Sequence, residues 1–188
     1  EFTQIALEMS FVDMEDILDL GERFMVRVFK DALGVDVELP LPRLTFKESM
    51  ERFGSDKPDT RYAMELYDLS DIVKDCGFGV FESAISGGGA VRAITAKNAA
   101  HVLSRKEIDK LTEQAKGIGA KGLAWIRWTE EGISSSFGKF ISEEKMEEIL
   151  KAGGTVQGDA ALIIGDTNAT LGMTILGALR TEVARKLD

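Results

Sequence analysis

SRKEIDKLTEQAKGIGAKGLAWIRW, from Ser104 to Trp128, holds a helix start, a helix stop and a strand in one passage. Ser104 and Glu107 form a capping-box pattern, in which side chains at the two positions satisfy backbone N–H groups that a helix start leaves free. Ile108, Leu111, Ala115 and Ile118 then recur at helical spacing until Gly119 ends the run, and Gly122 to Trp128 reads as a strand. Upstream, Phe78 to Ile85 and Ala90 to Ala96 read as strands joined by a hairpin at Ser86-Gly87-Gly88-Gly89. Downstream, a turn at Glu130-Glu131-Gly132 leads to a partner strand around Phe137-Gly138-Lys139-Phe140. Ser142 caps a helix that Gly153-Gly154 stops, Ala160 to Ile164 is a last strand, and a helix from about Asn168 presents Leu176, Leu179, Val183 and Leu187 on one face. Gly172 and Gly177 leave that helix room for close packing. Hairpin, helix, hairpin, helix predicts an α+β domain: a mainly antiparallel sheet with helices packed on one face.

Toward the N-terminus, Gln4 to Val12 reads as a mostly buried strand, though so short an apolar run also suits a helix. A core strand so close to the first residue predicts a chain cut from something larger. Asp13 and Asp16 open a helix whose face of Ile17, Leu20, Phe24 and Val28 ends at Leu33-Gly34. Pro40 and Pro42 interrupt the chain, and Thr45 to Glu48 is a capping box for a short helix closed by Gly54. The polar loop Ser55 to Asp59 marks the expected domain boundary.

The 188 residues are 44% hydrophobic and 29% charged with formal net charge −9, a globular composition large enough for one ordinary domain or two small ones. The acidic balance excludes a general electrostatic nucleic-acid binder, because such partners reward clustered Lys and Arg. One cysteine, Cys76, can form no internal disulfide or zinc cluster, and the composition fits a reducing, cytoplasmic setting. No apolar run approaches a membrane span. Gly117 to Gly122 matches a dinucleotide-binding pattern in letters, but its glycines end a helix and lead into a strand, the reverse of the order required. Gly87-Gly88-Gly89 reads as a permissive turn rather than a phosphate cradle. His101, the only histidine, has no second ligand to make a metal site, and Cys76 reads as a half-buried structural thiol. No metal site is expected. Arg92, Lys97, Arg105, Lys106 and Lys110 belong to a local surplus of positive charge between Arg92 and Arg127, which reads either as a phosphate-docking face or as an ordinary solvated helix surface.

Glu1 to Asp13 (EFTQIALEMSFVD) resembles the second half of motif 2 of bacterial-type aspartyl-tRNA synthetases, which are class II enzymes. Phe53 to Arg61 (FGSDKPDTR) resembles the segment by which that catalytic domain approaches its insertion. Leu103 to Ile108, Gly119 to Ile126 and Gly177 to Arg180 resemble the insertion itself, the GAD domain, shared with tRNA-dependent amidotransferase subunits. The resemblance implies a strand-helix catalytic remnant at 1–62 and a β-β-α-β-β-α-like GAD insertion with connecting helices at 63–188. It implies a parent that joins aspartate to ATP, assisted by Mg2+, and transfers the aspartyl group to tRNA, as a cytoplasmic homodimer. By family position Phe2 is the adenine-stacking residue. Ala6 stands where the family carries an acidic residue that holds the amino acid, and a methyl group cannot pair with an ammonium. The motif arginines that steady the phosphates lie outside this sequence, so the chain itself is expected to bind no cofactor and to be inactive. The GAD insertion is expected to support docking of the tRNA acceptor end or domain arrangement. A free-standing noncatalytic RNA-interaction module and an amidotransferase GAD domain are the alternatives.

Overall fold

The computed structural model describes residues 1–187, which divide into two compact units, Glu1–Arg43 and Leu44 onward. The first unit is a single helix flanked by chain without regular secondary structure. Helix α1 (Met14–Leu33) starts where Asp13 accepts the N–H groups of Glu15 and Asp16, while the Asp16 carboxylate accepts the N–H of Asp13. It stops at Gly34, whose left-handed backbone turns the chain out of the helix. The predicted apolar face is present, yet no α1 residue is buried, and Ile17 and Val28 are exposed. The expected strand at Gln4 to Val12 is absent: residues 1–9 carry no regular secondary structure and are exposed. Extended apolar chain becomes a strand only against a neighbouring ladder, and none pairs with it among the described residues.

The second unit begins with α2 (Phe46–Phe53), opened by the Thr45–Glu48 capping box and closed by Gly54. Then follow β1 (Tyr67–Asp68), α3 (Ser70–Val73), α4 (Gly79–Ser86), β2 (Ala90–Ala96), α5 (Arg105–Ile118), β3 (Ala124–Thr129), β4 (Gly132–Ser135), a 3-10 turn (Gly138–Phe140), α6 (Glu143–Ala152), β5 (Ala160–Asp166) and α7 (Ala169–Leu187). The sheet order is β1-β2-β5-β3-β4, with every neighbouring pair antiparallel. β5 lies at the centre and is buried on both sides. Ala160, Leu162 and Ile164 pack with α5 and α7 through Ile108, Leu111, Ile175 and Leu179. Ala161 and Ile163 pack on the opposite side with Val73, Phe81, Phe137 and Ile149, from the region of α3, α4 and α6. Helices therefore cover both faces of the sheet, which corrects the expectation of one covered face. The near-continuous apolar run of β5 is the pattern a doubly covered strand requires.

Two further expectations are corrected. Phe78 to Ile85 is helical, not a strand: Phe81 and Ala84 are buried three residues apart while Val80 faces solvent, a helical period rather than an alternating one. The glycines after it stop a helix and do not join a hairpin. A Cβ on Gly89 would strike the Asp166 carbonyl oxygen and the Cα of Thr167, so the close approach to the end of β5 requires glycine there. The Phe137 to Phe140 segment is not the partner of β3 either. That partner is β4, which pairs directly across the predicted turn, Thr129 opposite Gly132. Past it, the Ser135 hydroxyl accepts the Gly138 N–H at 2.7 Å and the chain turns inward, burying Phe137.

Candidate functional site

The basic residues singled out in the sequence are spread over the sheet and α5. Arg92, on β2, lies 3.2 Å from the Asp68 carboxylate across the β1 ladder. Lys97, just past β2, donates to Asp159 at 2.8 Å and to the Gly154 carbonyl. Arg105 pairs with Asp109 at 3.3 Å one turn along α5 and lies over the Trp125 ring. Lys110 donates to Glu107 at 2.6 Å. Lys106 is the one member of the five with no ion-pair partner among the described residues, and it is exposed beside Lys110 on the outer surface of α5. The structure thus brings Arg105, Lys106 and Lys110 together on one helix and commits the other two to structural pairs.

Glu107 is the centre of this helix surface. Its carboxylate also accepts Lys186 of α7 at 2.9 Å, and the hydrogen bonds from Lys110 and Lys186 hold its pKa at about 2. Burial pushes the Asp159 carboxyl up, but Lys97 and the backbone N–H groups of Val156 and Asn98 outweigh it and hold that group below the usual carboxylate range. Both carboxyls are more acidic folded than unfolded. Their stabilisation is therefore complete above the ordinary value and disappears as pH falls through the folded one, for Glu107 between 4.5 and about 2. Acid unfolding followed by circular dichroism should show this, and Glu107→Gln should flatten the acid limb over that window while leaving Asp159's contribution in place.

Ser104 caps α5 by accepting the Glu107 N–H at 3.4 Å, whereas the Glu107 carboxylate goes to the two lysines. Half of the predicted capping box has been traded for a tie between α5 and α7. The glycines from Gly117 to Gly122 end α5 and lead into β3, so no helix N-terminus follows them to meet a phosphate. His101 is exposed, and Cys76 is buried in the apolar cluster of α3 and α4.

A cavity of about 840 Å³ lies beside α4, its walls including Phe78, Val80, Ala84, Phe140 and Ile163. Phe78 stacks on Phe140, with ring centroids 5.4 Å apart. Asp166 also lines it, and its carboxylate accepts the N–H of Asn168 at the start of α7. Ser83, Ser136, Thr167 and Lys121 line it as well, and the Ser136 hydroxyl accepts the Trp125 N–H at 3.1 Å.

Phe2 is 88% exposed on the unpaired N-terminal segment, and Ala6 is exposed on the same stretch. No cluster of His, Cys, Asp or Glu able to hold a metal ion occurs among the described residues. In the first unit Arg23, Arg27, Lys30 and Arg43 are each paired with a carboxylate. No described helix is long and apolar enough to cross a membrane.

One prominent residue carries no assigned role in the sequence: Arg180, on α7, is 1% exposed. Its guanidinium donates to the carbonyls of Met64, Asp59 and Tyr62 at 3.0, 2.8 and 2.9 Å and lies over the Tyr62 ring. The signal was its place in the helical period, four residues after Leu176 and three before Val183, on the buried face.

The GAD domain family model matches residues 81–174. All of this chain aligns with aspartate–tRNA ligases: it is 49% identical over 188 residues to that of Clostridium perfringens, covering 31% of that protein. It is 52% identical over 189 residues to that of Ruminiclostridium cellulolyticum, covering 32%. An aspartate–tRNA(Asp/Asn) ligase of Moorella thermoacetica is 50% identical over 187 residues, with 31% of its length covered. The chain spans about a third of the length of these relatives.

Proposed function

Because the chain belongs to the GAD domain family, we propose that it is the middle part of a bacterial aspartate–tRNA ligase, in which residues 1–62 are the end of motif 2 with the helices after it and 63–188 are the insertion. The observation that carries this reading is the alignment of the whole chain, not of the GAD portion alone, with aspartate–tRNA ligases at about half identity. That span favours a synthetase over a free-standing RNA module or an amidotransferase subunit. The exposed apolar face of α1 supports it too, because an amphipathic helix with nothing buried is built to pack on further protein.

In this reading the parent is a cytoplasmic dimer that activates aspartate with ATP and Mg2+ and charges tRNA. Phe2 stacks on adenine there, through a flat apolar face suited to any purine. The phosphate-steadying arginines come from the rest of the parent. Ala6 leaves the substrate ammonium one carboxylate short at that position, so the parent's affinity for aspartate should rise on Ala6→Asp. The insertion meets the tRNA acceptor end through the outer surface of α5, where Lys106 is the cation with no ion-pair partner among the described residues.

The test is made on the complete open reading frame. It should transfer radiolabelled aspartate to tRNA, and the isolated chain should catalyse no aspartate-dependent pyrophosphate exchange. Lys106→Glu should weaken tRNA binding by about two- to fivefold and lower its salt dependence by about one phosphate contact. A complete protein that charges no tRNA with aspartate would end the assignment. Unchanged tRNA binding by the variant would end only the role given to α5.

A further inference from the structure

We propose that the open edge of β4, with the groove between it and α6, docks a basic, extended segment of another protein as an added strand. β4 is the last strand of the sheet, so one of its sides has no neighbour among the described residues. The register tells which residues face that side. Ser136 donates its N–H to the Trp125 carbonyl, and the ladder pairs Arg127 with Ser134 and Thr129 with Gly132. Antiparallel hydrogen bonding alternates along a strand, so Ser134 and Gly132 turn inward while Ile133 and Ser135 present their N–H and C=O groups outward. An incoming strand finds there a short row of unpaired backbone groups.

The side chains beside this edge suit such a guest. Ile133, Ser135, Ile141 and Met146 line a groove of about 540 Å³, together with Glu143 and Glu147 of α6. Ile133 is 44% exposed, which leaves apolar surface for an alternate side chain of the guest. The charge selects the occupant. Glu143, Glu144 and Glu147, with Glu130 and Glu131 at the hairpin tip, are exposed, and none of them pairs with a cation among the described residues. Glu148 alone on α6 is neutralised, by Lys145 at 2.7 Å. Lys139 is the only cation lining the groove. An RNA backbone is repelled here, and a second copy of this chain pairing β4 against β4 would bring its own carboxylates onto these. A chain rich in Lys and Arg alternating with Val meets both the charge and the edge.

The probe is a capped pentapeptide, Lys-Val-Arg-Val-Lys, titrated into the chain by fluorescence anisotropy with NMR mapping. It should bind with shifts centred on Ile133 and Ser135, more weakly as salt rises. Charge reversal at Glu143 and Glu147 together should weaken it about tenfold, the sum of two exposed ion pairs. Methylating alternate backbone nitrogens of the peptide should weaken it at least as much, because that removes the ladder donors and leaves the charge. Failure to bind, affinity unchanged by backbone methylation, or shifts centred on α5 would each overturn the proposal. So would a concentration-dependent dimer that buries β4. None of these results bears on whether the parent charges tRNA.

Discussion

Gly54→Ala is expected to destabilise the second unit by about 3 kcal/mol, because it forces apart two helices that meet backbone to backbone. Gly54 closes α2 at φ 67°, where a Cβ costs about 1 kcal/mol for an ordinary L-residue. Space is the larger objection. A Cβ there would strike the Met173 carbonyl oxygen of α7 and lie 2.9 Å from the Gly177 nitrogen. The crowding is mutual, since a Cβ on Gly177 would lie 2.5 Å from the Gly54 oxygen and 2.7 Å from that of Phe53. Neither obstacle is a flexible side chain that can swing away. Relief requires α2 to move off α7, uncovering Phe53, which is 4% exposed, and Met50 beside it. At about 2–4 °C per kcal/mol for a unit of this size, the melting temperature should fall by about 6–12 °C. Gly54→Asn separates the causes: asparagine tolerates the left-handed conformation but keeps the Cβ, so it should be nearly as damaging. A loss below 1 kcal/mol for either variant, measured by urea unfolding, would mean that the helices part freely.

This contact also marks how far the sequence could be read. The helix boundaries at Asp13, Thr45, Ser104 and Ser142 were legible because a cap is a local transaction between a side chain and the next turn. Close packing at Gly177 was legible as well. Gly172 was not the same case, since a Cβ there would meet only ordinary van der Waals neighbours. The errors fell where structure depends on distant chain. Phe78 to Ile85 is apolar enough for a strand, and only its meeting with Phe137 and Ile163 in one cluster shows which period it keeps. Gln4 to Val12 has the composition of a strand and no ladder to join among the described residues. The basic residues were visible as letters, and so were the nearby Glu107 and Asp109, but the neutralisation of Arg92 by Asp68 and of Lys97 by Asp159 was not, because those two acids are remote in sequence. A local count of charge overstated the positive surface for that reason.

Arg180→Met should cost about 3–5 kcal/mol, although the replacement keeps most of the apolar stem. The guanidinium is a buried cation with no carboxylate at ion-pair distance among the described residues; its charge is met by the carbonyls of Asp59, Tyr62 and Met64 and by the rings of Tyr62 and Phe53, 4.2 and 4.9 Å away. Burial pushes its pKa down from the ordinary value, and Tyr62, Asp59 and Glu65 offset part of that, so burial of the charge is opposed chiefly by these neighbours. Methionine removes the donors and leaves three carbonyls directed at an apolar side chain, each costing about 1–3 kcal/mol unless water reaches it. Arg180→Lys keeps the charge but not the planar fork, and one ammonium cannot reproduce contacts spread over residues 59–64, so it should recover less than half of the loss. The segment so released contains Arg61, a trypsin site. Limited proteolysis should therefore cut after Arg61 faster in Arg180→Met than in the parent under conditions where α5 remains protected. Equal cleavage, with unfolding free energies within 1 kcal/mol, would mean that α7 does not hold this loop. The expected pattern instead makes Arg180 the tie between the final helix and the connection leading from α2 to β1, a link between segments more than a hundred residues apart.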